Sequence, residues 1–174
     1  AGKTTLMNVL YGLLRAEEGR IYINGKEVDI KNPSVAIQSG IGMVHQHFKL
    51  VDNFTIAQNI ILGMEDTRGF GVVDLKKANQ KIFEIINKYG LRVNPDELIE
   101  NVSVGVQQKV EIIKALYRGA DILILDEPTA VLTPGEITEL INVMHKLIKD
   151  GKTIIIITHK LNEIKQSAEE CTVL

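Results

Sequence analysis

The run Asp121-Ile-Leu-Ile-Leu-Asp126-Glu127-Pro-Thr129 limits what this chain can fold into more than any other segment. Successive apolar residues without polar alternation read as a strand covered on both faces, and such strands belong to parallel sheets sandwiched by helices. Open α/β sheets gather their ligands at the carboxyl ends of the strands. This strand ends in an aspartate followed by a glutamate. An Asp there can hold Mg²⁺ through water, and the Glu can polarise an attacking water. Together they are equipment for cutting a nucleoside triphosphate. A core strand running into a solvated acidic turn would look the same in isolation, so the reading depends on what accompanies it.

The N-terminus supplies the first companion, Ala1-Gly2-Lys3-Thr4-Thr5-Leu6. It matches the second half of G-x-x-x-x-G-K-[ST], the phosphate-binding P-loop. Gly2 lets backbone N–H groups approach a phosphate, Lys3 reaches the β- and γ-phosphates, and the Thr4 hydroxyl ligates Mg²⁺. A helix from Lys3 to about Leu14 would aim its positive dipole end at the anion. A bare GKT at a helix start is weak evidence alone and strong evidence beside Asp126-Glu127. The chain opens inside the motif with Ala and stops at Thr172-Val-Leu174, in what reads as a strand. It is therefore read as an N-terminally truncated fragment that is not expected to bind ATP tightly or turn it over alone, and the functional reading concerns its parent.

With 174 residues, 45% of them apolar, the chain can bury a substantial core. Aromatics make up only 5% and Trp is absent, which predicts an aliphatic core. The net charge of −2 and the lack of a basic stripe disfavour broad nucleic-acid binding. No apolar run approaches membrane-spanning length, and no signal peptide is visible. Cys171 stands alone and reads as a small buried hydrophobe in a reduced compartment.

Along the chain, Arg20–Val28 reads as a hairpin with Asn24-Gly25 forming a type I′ turn. Ile41–Val44 is a short apolar strand. From about Thr55 to Tyr117 the pattern is helical, with Gly69 and Gly71 in a loop and Ile82, Ile85, Ile86 and Tyr89 on one face. Strands Ile122–Leu125 and Thr153–Ile157 follow, joined by a helix over about Gly135–Asp150. The expected fold is α/β: a mostly parallel P-loop core with a small antiparallel hairpin and an inserted helical subdomain. Residues 1–52 and 119–174 would form the core, and about 53–118 the insert.

Polar groups close these strands. Gln46 follows Val44, where an amide can ligate Mg²⁺ or the attacking water; a surface Gln is the plainer reading of that residue alone. His159 follows Ile157 on the same expected edge as Asp126 and Glu127, which favours a γ-phosphate contact. His45 and His47 have no metal-ligand company. Ser103 and Gly105 precede an apolar-periodic run (Val110, Ile113, Leu116), so Ser103 is a plausible N-cap and the pair a second anion-facing surface. Taken locally, an ordinary cap is the better reading of that site.

Taken together, these motifs resemble an ABC-type ATPase domain over all 174 residues. The order is that of the family: Walker A remnant Gly2-Lys3-Thr4-Thr5, Q-loop Gln46, signature Val102–Val106, Walker B Ile122–Asp126 with Glu127, and switch His159. The resemblance implies that Ala1, Gly2, Lys3, Thr4 and Thr5 surround the phosphates, while Thr4, Gln46 and Asp126 organise Mg²⁺. It implies Glu127 as general base, His159 as γ-phosphate sensor, Lys3 and Gln46 as further catalytic groups, and Ser103 and Gly105 on ATP bound to a second, head-to-tail ATPase domain. The signature departs from Leu-Ser-Gly-Gly-Gln at Val102, Val104 and Val106. The loop Ala130-Val-Leu-Thr133 replaces Ser-Ala-Leu-Asp, which puts cross-domain communication in doubt. Such departures, with Met43-Val-His-Gln-His-Phe48, Lys114-Ala-Leu-Tyr-Arg-Gly-Ala-Asp121 and Thr158-His-Lys-Leu161, resemble the first half of tandem ATPases in bacterial sugar and nucleoside importers. That implies a subunit peripheral to the cytoplasmic face of the plasma membrane, docked on permease subunits through about His47–Gly63 and working indirectly with a substrate-binding lipoprotein. The alternatives are a soluble ABC-type ATPase without a permease, a P-loop kinase, and a silenced binding half. The interval between Gln46 and Ser103 lacks the heptads of chromosome-associated relatives. A kinase has no use for the signature, and Glu127 with His159 argues against a silenced site.

Overall fold

The computed structural model describes residues 2–65, 67–68, 72–160, 164–165 and 167–173. Helix α1 (Lys3–Leu10) leads into a hairpin of β1 (Tyr22–Ile23) and β2 (Lys26–Glu27), then α2 (Pro33–Gln38) and β3 (Ile41–Val44). Next come α3 (Ile56–Ile61), β4 (Thr67–Arg68), β5 (Val72–Val73), α4 (Leu75–Tyr89), a 3₁₀ turn at Ile99–Asn101 and α5 (Val104–Tyr117). Strand β6 (Ile122–Asp126), α6 (Pro134–Lys149) and β7 (Thr153–Ile157) complete it.

The central sheet has the order β3-β6-β7, all parallel. Its apolar runs feed two cores because alternate residues face opposite sides. Val44, Leu123 and Leu125 face one cluster with α3, α4, α5 and α6; Ile41, Met43 and Ile124 face the other, with Met7, Leu10 and Ala36 of α1 and α2. A sheet covered on both faces is what the unalternating runs predict. Gly42 lets α5 lie close on β3, since a Cβ there would come 2.8 Å from Ala115 Cβ and 2.9 Å from Ala120 Cβ. Asn24 and Gly25 carry the positive φ values, 51° and 75°, of the expected type I′ turn.

The stretch between β3 and β6 is largely helical. Thr55 and Gln58 form a capping box on α3, and Asp74 caps α4. On α4, Ile82 and Tyr89 are buried while Ile85 and Ile86 pack beside them, the expected face. Tyr89 Oη donates to Asp150 Oδ2 at 2.6 Å, joining α4 to the end of α6.

Several expectations change. Helix α1 ends at Leu10 rather than near Leu14. Gly12 takes φ 78°, and a Cβ there would lie 2.5 Å from the Asn32 carbonyl carbon, so the chain turns to pass that backbone closely. An antiparallel pair, β4–β5, interrupts the helical stretch; Gly69 and Gly71 lie outside the described residues. Residues Cys171–Val173 form no strand and are exposed, Val173 at 91%, and Leu174 lies outside the described residues. Cys171 is exposed rather than buried, because none of the described residues covers it. Among the described residues no helix is long and apolar enough to cross a membrane.

Candidate functional site

Parallel register collects the strand-end groups. Val44 pairs with Leu125, and Asp126 pairs with Ile157. Gln46, Glu127 and His159 each follow these pairs by one or two residues, so all three leave the sheet at one edge. Gln46 is exposed there.

Asp126 is only 6% exposed. The Thr4 hydroxyl at the start of α1 lies beside its carboxylate. Oδ1 of Asp126 is buried and has no hydrogen-bond partner among the described residues. Burial raises the Asp126 carboxyl above its ordinary range, the Thr4 hydroxyl opposes that shift, and the Glu127 charge adds to it. An orphaned carboxylate oxygen facing a threonine hydroxyl is a hard-oxygen donor set suited to Mg²⁺. Gly2 caps α1 with φ 101°, a conformation that a Cβ would disfavour. Lys3 is half-buried, Thr4 and Thr5 are exposed, and Ala1 lies outside the described residues.

Glu127 takes φ 47°, unusual for a residue with a side chain. Its N–H donates to Ile157 O at 2.9 Å, fixing it to β7. Its Oε1 lies 3.1 Å from His159 Nδ1. A backbone held in this sparse region at a strand end is a common mark of functional sites. The structure thus brings Thr4, Asp126, Glu127 and His159 into one chain of contacts.

Ser103 and Gly105 meet a different partner. Ser103 Oγ accepts from Val106 N at 3.4 Å, confirming the N-cap of α5. Gly105 packs on the Glu136 carboxylate of α6, in a space that a Cβ would occupy. Glu136 Oε2 accepts from Thr133 N at 2.9 Å and from Thr133 Oγ1 at 2.8 Å. The Thr133 N–H, then its hydroxyl, then lesser contributions including Ser103 hold the Glu136 carboxyl below its usual range.

Sequence reasoning assigned no role to Gln108 or Lys160. Gln108, 2% exposed, donates from Nε2 to Pro128 O at 2.6 Å. Lys160 Nζ donates to Thr129 O and Thr129 Oγ1, both at 3.2 Å. The available signal for Gln108 was its spacing, two residues before Val110 and four before Ile112, on the buried side of α5.

The sequence model of the family described as ABC transporter matches residues 1–130. The chain is 61% identical over 174 residues to the nucleoside import ATP-binding protein NupA of Lactococcus lactis subsp. cremoris, covering all of this chain and 34% of that protein. It is 57% identical over 155 residues to the guanosine import ATP-binding protein NupO of Bacillus subtilis, covering 89% of this chain and 30% of that protein. The chain therefore spans about a third of the length of these curated relatives. Among solved structures, a nucleotide-free ATP-binding cassette from an ABC transporter superposes with TM-score 0.79 at 28% identity, over 95% of this chain and 69% of that one. A parallel P-loop core, the edge where Thr4, Asp126, Glu127 and His159 meet, and these matches agree: the chain belongs to the ABC transporter family, in the fold of its ATP-binding cassettes.

Proposed function

We propose that this chain is part of an ATP-hydrolysing subunit that powers import of a nucleoside or simple sugar through a membrane permease. The observation that carries the reading is the convergence of Thr4, Asp126, Glu127 and His159 at one sheet edge. Glu127 accepts a proton from the attacking water. His159 holds the Glu127 carboxylate on one side while its own ring turns to the γ-phosphate. Lys3 and the backbone N–H groups of Ala1–Thr5 neutralise phosphate charge, and Gln46 orients water from the neighbouring strand. Thr4, Asp126 and Gln46 would hold Mg²⁺, which supplies charge neutralisation on the phosphate oxygens. The rest of the rate comes from positioning and fixed dipoles, as in phosphoryl transfer generally.

In this reading residues 1–52 and 119–174 form the ATP-binding core, and 53–118 the helical subdomain. Ser103 and Gly105 serve ATP held by a second cassette. His47–Gly63 faces a permease on the cytoplasmic side of the membrane. A cavity of about 260 Å³ reaches the start of this segment at Lys49, its other walls including Tyr11, Ile37, Met43, His45 and Lys114. The names of NupA and NupO favour nucleosides as the solute class.

The test is Glu127→Gln in the full-length protein. Steady-state ATPase should fall about 10²–10⁴-fold, the range of general-base loss, with ATP binding retained. Turnover near wild type would remove Glu127 from this role.

A further inference from the structure

Three successive residues of the loop after β6 are each held by a different partner. Glu127 N–H donates to Ile157 O of β7 at 2.9 Å. Pro128 O accepts from Gln108 Nε2 of α5 at 2.6 Å. Thr129 O and Oγ1 accept from Lys160 Nζ at 3.2 Å. The need for such holding is visible in the backbone. Glu127 sits at φ 47°, a region that disfavours a residue with a side chain and persists only where surroundings impose it. Pro128 fixes its own φ and offers no N–H, so its carbonyl is the one backbone group through which this residue can be held.

Gln108 is buried, at 2% exposure, with a short hydrogen bond to a carbonyl. An amide that deep, beside Ile112, Leu132 and Leu140, would be costly without that bond. It also belongs to the helix whose first turn carries Ser103 and Gly105. Any displacement of that turn moves Gln108 with it, because five residues of α-helix act as one rigid unit.

We propose that Gln108 is a positioning residue for Glu127: it fixes the Pro128 peptide, and so couples the Ser103–Gly105 turn of α5 to the placement of the carboxylate that activates water. The proposal rests on the ATPase reading above. It predicts that losing the Gln108 donor slows the chemical step without weakening ATP binding, since no group that touches nucleotide is removed.

The experiment uses the full-length protein with Gln108→Met, Gln108→Glu and Glu127→Gln side by side. Methionine keeps the length and apolar stem of the side chain and loses the donor. Gln108→Met should lower kcat about ten- to hundredfold, the scale of a misplaced catalytic group, with the ATP dissociation constant unchanged. Gln108→Glu presents a carboxylate to a carbonyl when ionised and a donor when protonated. Its kcat relative to wild type should therefore rise as pH falls, whereas the relative kcat of Gln108→Met stays flat. Wild-type kcat in Gln108→Met overturns the proposal, as does a flat relative pH profile in Gln108→Glu. A Gln108→Met protein that loses melting temperature and ATP affinity but keeps kcat shows a structural role only, and also overturns it. The Glu127→Gln arm separates the two levels: if it retains turnover, the general-base reading fails, whatever Gln108 does.

Discussion

Asn59 shows how a single polar side chain shapes the surface beside the site. It is fully buried, accepts from Val51 N at 2.7 Å, and donates to Val51 O at 3.0 Å and Thr55 O at 3.1 Å. It thereby fixes the loop leading from Gln46 into α3. Asn59→Leu would leave the partly buried Val51 N–H without its partner, while Val51 O keeps Phe54 N and Thr55 O keeps the residue-59 N–H, and should destabilise the protein by about 1–3 kcal/mol in denaturant unfolding. His45 makes a separable prediction in pH. Burial first, then the charges of Lys49 and Lys114, lowers its pKa below the usual 6.5. The unfolded chain therefore takes up a proton at higher pH than the folded one. Stability from this residue is present above pH 6.5 and is lost as pH falls through that value towards the lower folded one. His45→Gln should flatten the fall of melting temperature across that window, and an unchanged slope would assign the acid sensitivity elsewhere.

Between elements, β3 and α5 approach each other closely. Gly42 is tolerated there because Ala115 and Ala120 occupy the space a side chain would need. Gly42→Ala should cost about 1–3 kcal/mol by overpacking, read as a lower denaturant midpoint without a change in slope. The same contact matters for function, because α5 carries Ser103 and Gln108 while β3 leads to Gln46. The end of α4 is pinned separately, by Tyr89 Oη and Lys88 Nζ on Asp150 Oδ2 at 2.6 and 2.7 Å. The helical stretch is thus tied to α6 as well as to the sheet.

For the whole molecule, the test of coupling lies on the face after Gln46. Asp52 has no catalytic part in the proposed mechanism. Asp52→Lys in the intact transport system should reduce uptake while ATP hydrolysis continues, measured as solute imported per ATP split. Unchanged coupling across several substitutions in His47–Gly63 would show that the permease contacts another surface.

Sheet, site edge and family were legible in the chain because they depend on short-range pattern. Unalternating apolar runs force a doubly covered sheet, parallel register then aligns strand ends, and Asp126 ends a strand while Glu127, Gln46 and His159 each follow one within two residues. Asn24-Gly25 and Ser103 were readable for the same local reason, as a turn and a cap whose chemistry lies within a few residues. The early end of α1 was not, because it depends on Asn32 passing against Gly12. The exposure of Cys171 was not, because composition says what a thiol prefers and only packing says what covers it. Gln108, Lys160 and Glu136 were invisible as partners of Pro128, Thr129 and Gly105, since each contact spans 20 or more residues and no local rule links its two ends. Residue order determined which groups reach the edge of the sheet; tertiary packing alone decided which buried side chains hold them there, because a hydrogen bond between distant segments exists only once the core has brought them together.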